Sequence, residues 1–265
     1  MESLLVERSE GIVWATLNRP ERRNALSLGL WRALHTLFQE VAARTEDRVL
    51  VLQGAGGNFC SGGDLVPEAG EAVPELDSIA AAALTSIRNE VGRAASALHG
   101  LEKVSIACVN GTAAGAGASL AFSCDLTYAV ADARFGLVFV DRGLSLDFGA
   151  SWLLPRLIGL KRAKQLALFA DWLGAQDAVR WGLVNEVFAP DTLVDAVRER
   201  AGRLARKAPL AMSVVKKSLD RGAAGSLADA LENEALAQAA LTSTQDFQEG
   251  MRAFSLKREA KFTGS

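Results

Sequence analysis

Histidine, tyrosine and cysteine are scarce in this chain: among 265 residues there are two, one and three of them. The two histidines, His35 and His99, belong to no cluster and both fall in helical patterns, so they read as structural. The cysteines, Cys60, Cys108 and Cys124, are odd in number, lack metal-ligand spacing and sit among apolar or small residues. They predict reduced, buried thiols of a cytoplasmic protein and no metal site. A basic excess is also missing. The net charge of −2 and the isoelectric point near 5.8 argue against nucleic acid as the principal ligand, because no surplus of cations is there to hold a polyphosphate. No segment reads as a membrane span. The N-terminal MESLLVERSEGIVWATLNRP carries acids among its apolar residues and lacks the basic and apolar regions of a signal peptide.

What is present suffices for a sizeable core, in one large domain or a compact domain with a helical appendage. Apolar, β-rich stretches over 4–6 and 12–17, separated by Ser9-Glu10-Gly11, predict a hairpin. Behind Ser27, a good N-cap, Leu30, Leu34, Leu37, Phe38 and Val41 recur at helical spacing. Residues 48–54 (RVLVLQG) read as a buried strand. A polar loop around 68–75, a long helix over 76–98 and strands over 104–109 and 126–130 follow. The strand, loop, helix order predicts an α/β domain with ligand loops at strand ends. From residue 150 onward the pattern is helical, apart from a short strand at 183–188. Helices are expected over 191–206, with Pro209 marking the next break, and over 226–240 and 245–257.

Two stretches carry the chemistry: GNFCSGGDL (57–65) and NGTAAGAGASLAFSCDL (110–126). Both put glycine and alanine where a strand gives way to a loop or helix, so that backbone N–H groups can approach an anion. Singly, each is an ordinary glycine-rich turn. Together with NRPERRNALS, SLDFGASWLLPRLIG and the C-terminal FSLKREAKF, they resemble the crotonase superfamily of enoyl-CoA hydratases and isomerases across essentially the whole chain. The resemblance implies an α/β spiral of ββα units over 1–200 and a C-terminal helical trimerisation region over 201–265, assembled as a homotrimer or a dimer of trimers. It implies an acyl-CoA thioester as substrate, with no other cofactor. The oxyanion donors are then the N–H groups of Gly63 and Ala116, where removing one donor costs about 3 to 4 kcal/mol of transition-state stabilisation. Binding of CoA falls to Arg22, Asn24, Ala25, Ser61, Gly63, Asp64 and Leu65, and to the C-terminal Lys257 or Arg258, which in some relatives serves a neighbouring subunit.

In the resemblance the hydratases use two glutamates, at positions held here by Ser119 and Phe139. Neither can act as a carboxylic acid or base, which counts against ordinary water addition. Asp147 stands where a branch of the family, including epoxyphenylacetyl-CoA and Δ3,Δ2-enoyl-CoA isomerases, carries an acid. Flanked by Leu146 and Phe148, it is expected to have a raised pKa. The alternative role for Asp147 is to cap the helix starting near Gly149. Asp141 reads as a solvated loop residue, and Asp64 as a loop anchor accepting backbone hydrogen bonds. Ser119, Phe139, Leu144 and Phe148 are the expected acyl pocket, with Trp152 beside them. A serine hydrolase built on Ser119 is disfavoured because both histidines precede it. A dehalogenase resembling the 4-chlorobenzoyl-CoA enzyme would need a histidine and a tryptophan where Gly92 and Phe139 stand. Three readings remain: a one-aspartate isomerase, a hydratase with non-standard residues, and a non-catalytic acyl-CoA-binding or scaffold protein.

Overall fold

The computed structural model describes residues 2–64 and 76–265, so the loop expected over 68–75 and the site residue Leu65 lie outside the described residues. Strands β1 (Leu4–Ser9) and β2 (Ile12–Leu17) pair antiparallel, Leu4 opposite Leu17. Glu10 and Gly11, both at positive φ, make the tight turn between them. Along β2 the buried residues alternate, with Val13, Ala15 and Leu17 facing the core. Helix α1 (Leu28–Ala43) begins at Ser27, whose hydroxyl accepts the Leu30 N–H at 3.3 Å, and buries the predicted apolar stripe together with Trp31. Its C-terminal end is closed by Lys103. That ammonium donates to the carbonyls of Val41, Arg44 and Asp47 at 3.1, 2.8 and 3.0 Å.

β3 (Val49–Gly54) is almost wholly buried. The single helix expected over 76–98 is α2 (Leu76–Ser86), a π turn at Ile87–Val91 and α3 (Gly92–His99). After β4 (Val104–Val109) come β5 (Thr112–Ala114), α4 (Ala116–Phe122), β6 (Leu126–Val130) and β7 (Arg134–Gly136). Next are α5 (Ala150–Phe169), broken at Gly159, β8 (Leu173–Gly174), α6 (Ala175–Trp181) and β9 (Glu186–Phe188). One sheet has the order β1-β2-β3-β4-β6-β9, parallel from β2 onward, and a second has the order β5-β7-β8. Three- and two-residue strands have no periodicity to read, so the second sheet is absent from the sequence expectations. The strand expected over 183–188 is shorter because the N–H groups of Leu183 and Val184 bond Ala178 O, closing α6 at Gly182 instead of joining the sheet.

α7 (Leu193–Ala205) packs Leu193, Val197, Ala201 and Ala205 onto the sheet. α8 (Pro209–Gly222), with Pro209 in its first turn, α9 (Leu227–Thr242), with a Ser226–Asp229 capping box, and α10 (Gln245–Ser255) complete the chain. The C-terminal tail folds back on α10, where the Asp246 carboxylate accepts the Thr263 and Gly264 N–H groups. Arg48, just before β3, holds Ala205 O and Phe262 O at 2.9 Å each. Leu219, Leu227, Leu236 and Phe254 on these helices remain more than 60 % exposed. Lys103→Met is expected to lower the unfolding free energy by about 2 kcal/mol, because three carbonyls lose a charged donor. A lower denaturant midpoint at unchanged slope is the result to look for.

Candidate active site

The two glycine-rich stretches meet at the C-terminal ends of β3 and β4. A β-carbon on Gly62, whose φ is +99°, would stand 2.9 Å from Ala114 O and 3.5 Å from Ala116 N. One on Gly117 would stand 2.5 Å from Cys60 O and 2.7 Å from Cys60 Sγ. Only glycine allows this approach at either position. The strand-like contact between the segments is made by the Cys60 N–H, which donates to Thr112 O, and the Ala114 N–H, which donates to Cys60 O. On the other side, the Leu26 N–H donates to Gly62 O and the Asp64 N–H to Leu26 O, so in this parallel bridge the Gly63 N–H points away from Leu26. Among the described residues, neither the Gly63 N–H nor the N–H of Ala116, the first residue of α4, donates to an acceptor.

Buried polar groups hold the loop before them. Asn24, fully buried with φ +57°, accepts the Arg19 N–H and donates to Ala55 O and Asn58 O. Its side chain is therefore occupied within the protein, as are the N–H groups of Asn24 and Ala25, bonded to Arg19 O and Arg22 O. The Ser61 N–H and hydroxyl bind Arg23 O and Arg22 O. Asp64 was expected to accept backbone hydrogen bonds; its partners among the described residues are side chains. Arg19 and Arg22 grip its two oxygens at 2.8 and 2.7 Å. Burial alone would raise this carboxyl, but the Arg22 and Arg19 hydrogen bonds outweigh it and hold the group below the usual carboxylate range. Arg19 is the anchoring residue that sequence reasoning missed; its place in NRPERRNALS, ahead of the Gly63 loop, was the available signal.

Asp147 has the opposite surroundings. Its Oδ1 is buried with no hydrogen-bond partner among the described residues, and desolvation pushes its carboxyl up to about 7. It does not cap α5, whose N-cap is Gly149 without a side-chain hydrogen bond; only the Asp147 backbone carbonyl accepts, from the Ala150 N–H. Its charge reaches the thiol of Cys60 in the Gly63 loop, which desolvation first and then Asp147 push up to about 12. Cys108 and Cys124 are likewise free and buried.

The other expected site residues fall in different places. Ser119 is buried with its hydroxyl turned back to Gly115 O at 3.3 Å. The buried Phe139 ring lies 3.9 Å from where a β-carbon of Gly115 would be, so it closes over the start of α4. Phe148 is buried and stacked on Trp31, with centroids 5.2 Å apart, while Leu144 is 45 % exposed. Trp152 packs edge-on against His99 and under Arg156. Among the described residues Lys257 has no side-chain hydrogen bond or ion pair to the Gly63 loop, and the tail after it is tied to Arg48 at the opposite end of β3; Arg258 pairs with Glu249. A cavity of about 870 Å³ between α3, α5 and α8 includes Trp152 and Lys216 but none of Gly63, Ala116 or Asp147.

The sequence profile described as enoyl-CoA hydratase/isomerase matches residues 7–265. A probable enoyl-CoA hydratase of Rhodobacter capsulatus is 39 % identical over 97 % of this chain and 96 % of its own length. The 1,2-epoxyphenylacetyl-CoA isomerase of Escherichia coli is 35 % identical over 100 % and 99 %. Among solved structures, a putative enoyl-CoA hydratase/isomerase from Mycobacterium abscessus superposes with a TM-score of 0.92 at 34 % identity, covering 99 % of this chain and 100 % of that one.

The environment of Asp147 has a consequence for stability. A carboxyl whose pKa rises from 3.8 unfolded to about 7 folded binds more protons in the native state, so stability falls as pH rises between those values and the cost is complete above 7. Asp147→Asn is expected to be more stable than the wild type by about 2 to 4 kcal/mol near pH 8, with the difference vanishing near pH 4. Denaturant titrations at the two pH values check this.

Proposed function

The chain belongs to the enoyl-CoA hydratase/isomerase family of the crotonase superfamily, and from that membership we propose that it is an enoyl-CoA isomerase working with one carboxylate, Asp147. The observation that carries the reading is the half-buried Asp147, whose Oδ1 is buried with no hydrogen-bond partner among the described residues and whose carboxyl desolvation pushes up to about 7, in a site where Ser119 and Phe139 offer no second acid. The thioester oxygen is held by the Gly63 and Ala116 N–H groups. Asp147 removes a proton from Cα, and the electron pair moves into the carbonyl to give a dienolate whose oxygen the two donors stabilise. The same carboxylic acid returns the proton to Cγ. The double bond has migrated, and no water has been used. The desolvation that raises the Asp147 pKa also disfavours the competing hydration.

Phe139 supports this reading by closing over the start of α4 with a ring where hydration would need a carboxylate. CoA is bound at the loop of Arg22, Asn24 and Ala25 and along Ser61 to Leu65, with Arg19 and Arg22 anchoring that loop through Asp64. Lys257 serves the CoA of a neighbouring subunit. The second reading is hydration, favoured by the likeness to relatives such as the short-chain-enoyl-CoA hydratase of Clostridium acetobutylicum, 33 % identical.

Assembly into a homotrimer, or a dimer of trimers, accounts for the surface. A self-contained monomer of 28.1 kDa exposes about 11,000 Å², whereas this chain exposes 14730 Å², an excess on the scale of a permanent interface. Sedimentation should give three or six times the chain mass at micromolar concentration; a stable 28.1 kDa species would overturn the assembly.

Matched 2-enoyl-CoA and 3-enoyl-CoA thioesters test the chemistry, with hydration and migration followed separately by mass and ultraviolet absorbance. Migration without gain of water, rising with pH until it levels above about 7 and abolished by Asp147→Asn at nearly unchanged CoA affinity, is the expected result. Water gain that survives Asp147→Asn would assign the hydratase mechanism to other groups. Binding without turnover across the panel would leave a non-catalytic acyl-CoA-binding protein.

A further inference from the structure

We infer that the stacked pair Trp31 and Phe148 is the positioning device for Asp147, setting where the reacting carboxylate points. The inference rests on Asp147 being the base. Among the described residues the carboxylate has no hydrogen-bond partner at Oδ1 to orient it, which leaves the backbone that carries it the larger part in setting its direction. That backbone is unusual. Phe148, the next residue, has φ +49°, a conformation uncommon for a bulky side chain, and Gly149 follows at φ +77°. The two left-handed residues reverse the chain between Asp147 and α5, and the Ala150 N–H closes the turn on Asp147 O at 3.0 Å.

What keeps Phe148 in that conformation is its ring. It is 4 % exposed and lies nearly parallel to Trp31 of α1, at an interplanar angle of 24°. Trp31 is itself 3 % exposed on a helix whose first residues follow the Arg19–Asp64–Arg22 loop. The stack therefore joins the turn bearing Asp147 to the element that begins where the Gly63 loop is anchored. A shift of the carboxylate relative to the two N–H donors must break this contact.

The test is steady-state double-bond migration across about pH 5 to 9 by the full-length wild type and by Phe148→Gly, Trp31→Leu and Trp31→Phe, with Asp147→Asn as reference. Phe148→Gly keeps the left-handed backbone accessible and deletes only the ring. It is expected to lower kcat about 100-fold, the scale of a misplacement of about 1 Å, with KM within about threefold. The acid limb of its kcat profile should move to lower pH as water reaches the carboxylate. Trp31→Leu should shift both readouts in the same direction, and Trp31→Phe, which can still stack, should restore them. Wild-type kcat in Phe148→Gly beside an inactive Asp147→Asn would overturn the pair alone, as would a fall in kcat with an unmoved acid limb. If Phe148→Gly does not fold, the contrast between Trp31→Leu and Trp31→Phe decides, and equal kcat in those two overturns the inference. Full turnover by Asp147→Asn would bring down the base assignment and this inference with it.

Discussion

The contact between the Cys60–Gly63 loop and the turn from β5 into α4 depends on two missing β-carbons. At Gly62 and Gly117 any side chain would collide with the opposing backbone, and without them the two segments could not come within hydrogen-bonding distance along Cys60, Thr112 and Ala114. Among the described residues the approach leaves the N–H groups of Gly63 and Ala116 without acceptors, and it seats the Cys60 thiol against α4. Backbone donors held this way need no reorganisation when charge develops on a bound oxygen.

Two carboxylates near this contact have opposite surroundings, and the difference assigns their work. Asp64 is held by two guanidinium groups, stays ionised and fastens a loop. Asp147 is half-buried, its Oδ1 has no partner among the described residues, and desolvation pushes its carboxyl up to about 7, near neutrality. The second arrangement costs stability, and the buried Phe148–Trp31 stack and the packed start of α5 are the kind of compensation such strain requires. Asn24 shows the same economy: one fully buried amide accepts the Arg19 N–H and donates to Ala55 O and Asn58 O of the turn after β3.

The C-terminal region follows a different rule. α8 and α9 bury none of their residues within the chain, while Leu219, Leu227 and Leu236 face outward. A helical face of this composition finds its partner outside the chain or leaves a large apolar area in water. Its tail, tied through Arg48 to the start of β3, is directed away from the site at the end of that strand.

The amino-acid sequence by itself determined the elements with strong local signals: the β1–β2 hairpin, α1 behind Ser27, the buried strands β3 and β4, and the order of strands, loops and helices that makes an α/β spiral. It also determined the two glycine-rich stretches, because small residues at strand ends are visible one residue at a time. Tertiary structure alone decided the rest. The second sheet is made of strands too short to carry a period, and the early end of α6 depends on which carbonyls Leu183 and Val184 find. Asp64 and Asp147 are the same residue type in the sequence. One came to lie between Arg19 and Arg22 and the other half-buried on the turn whose Phe148 stacks on Trp31, because a carboxylate takes its properties from neighbours that only the folded chain brings together.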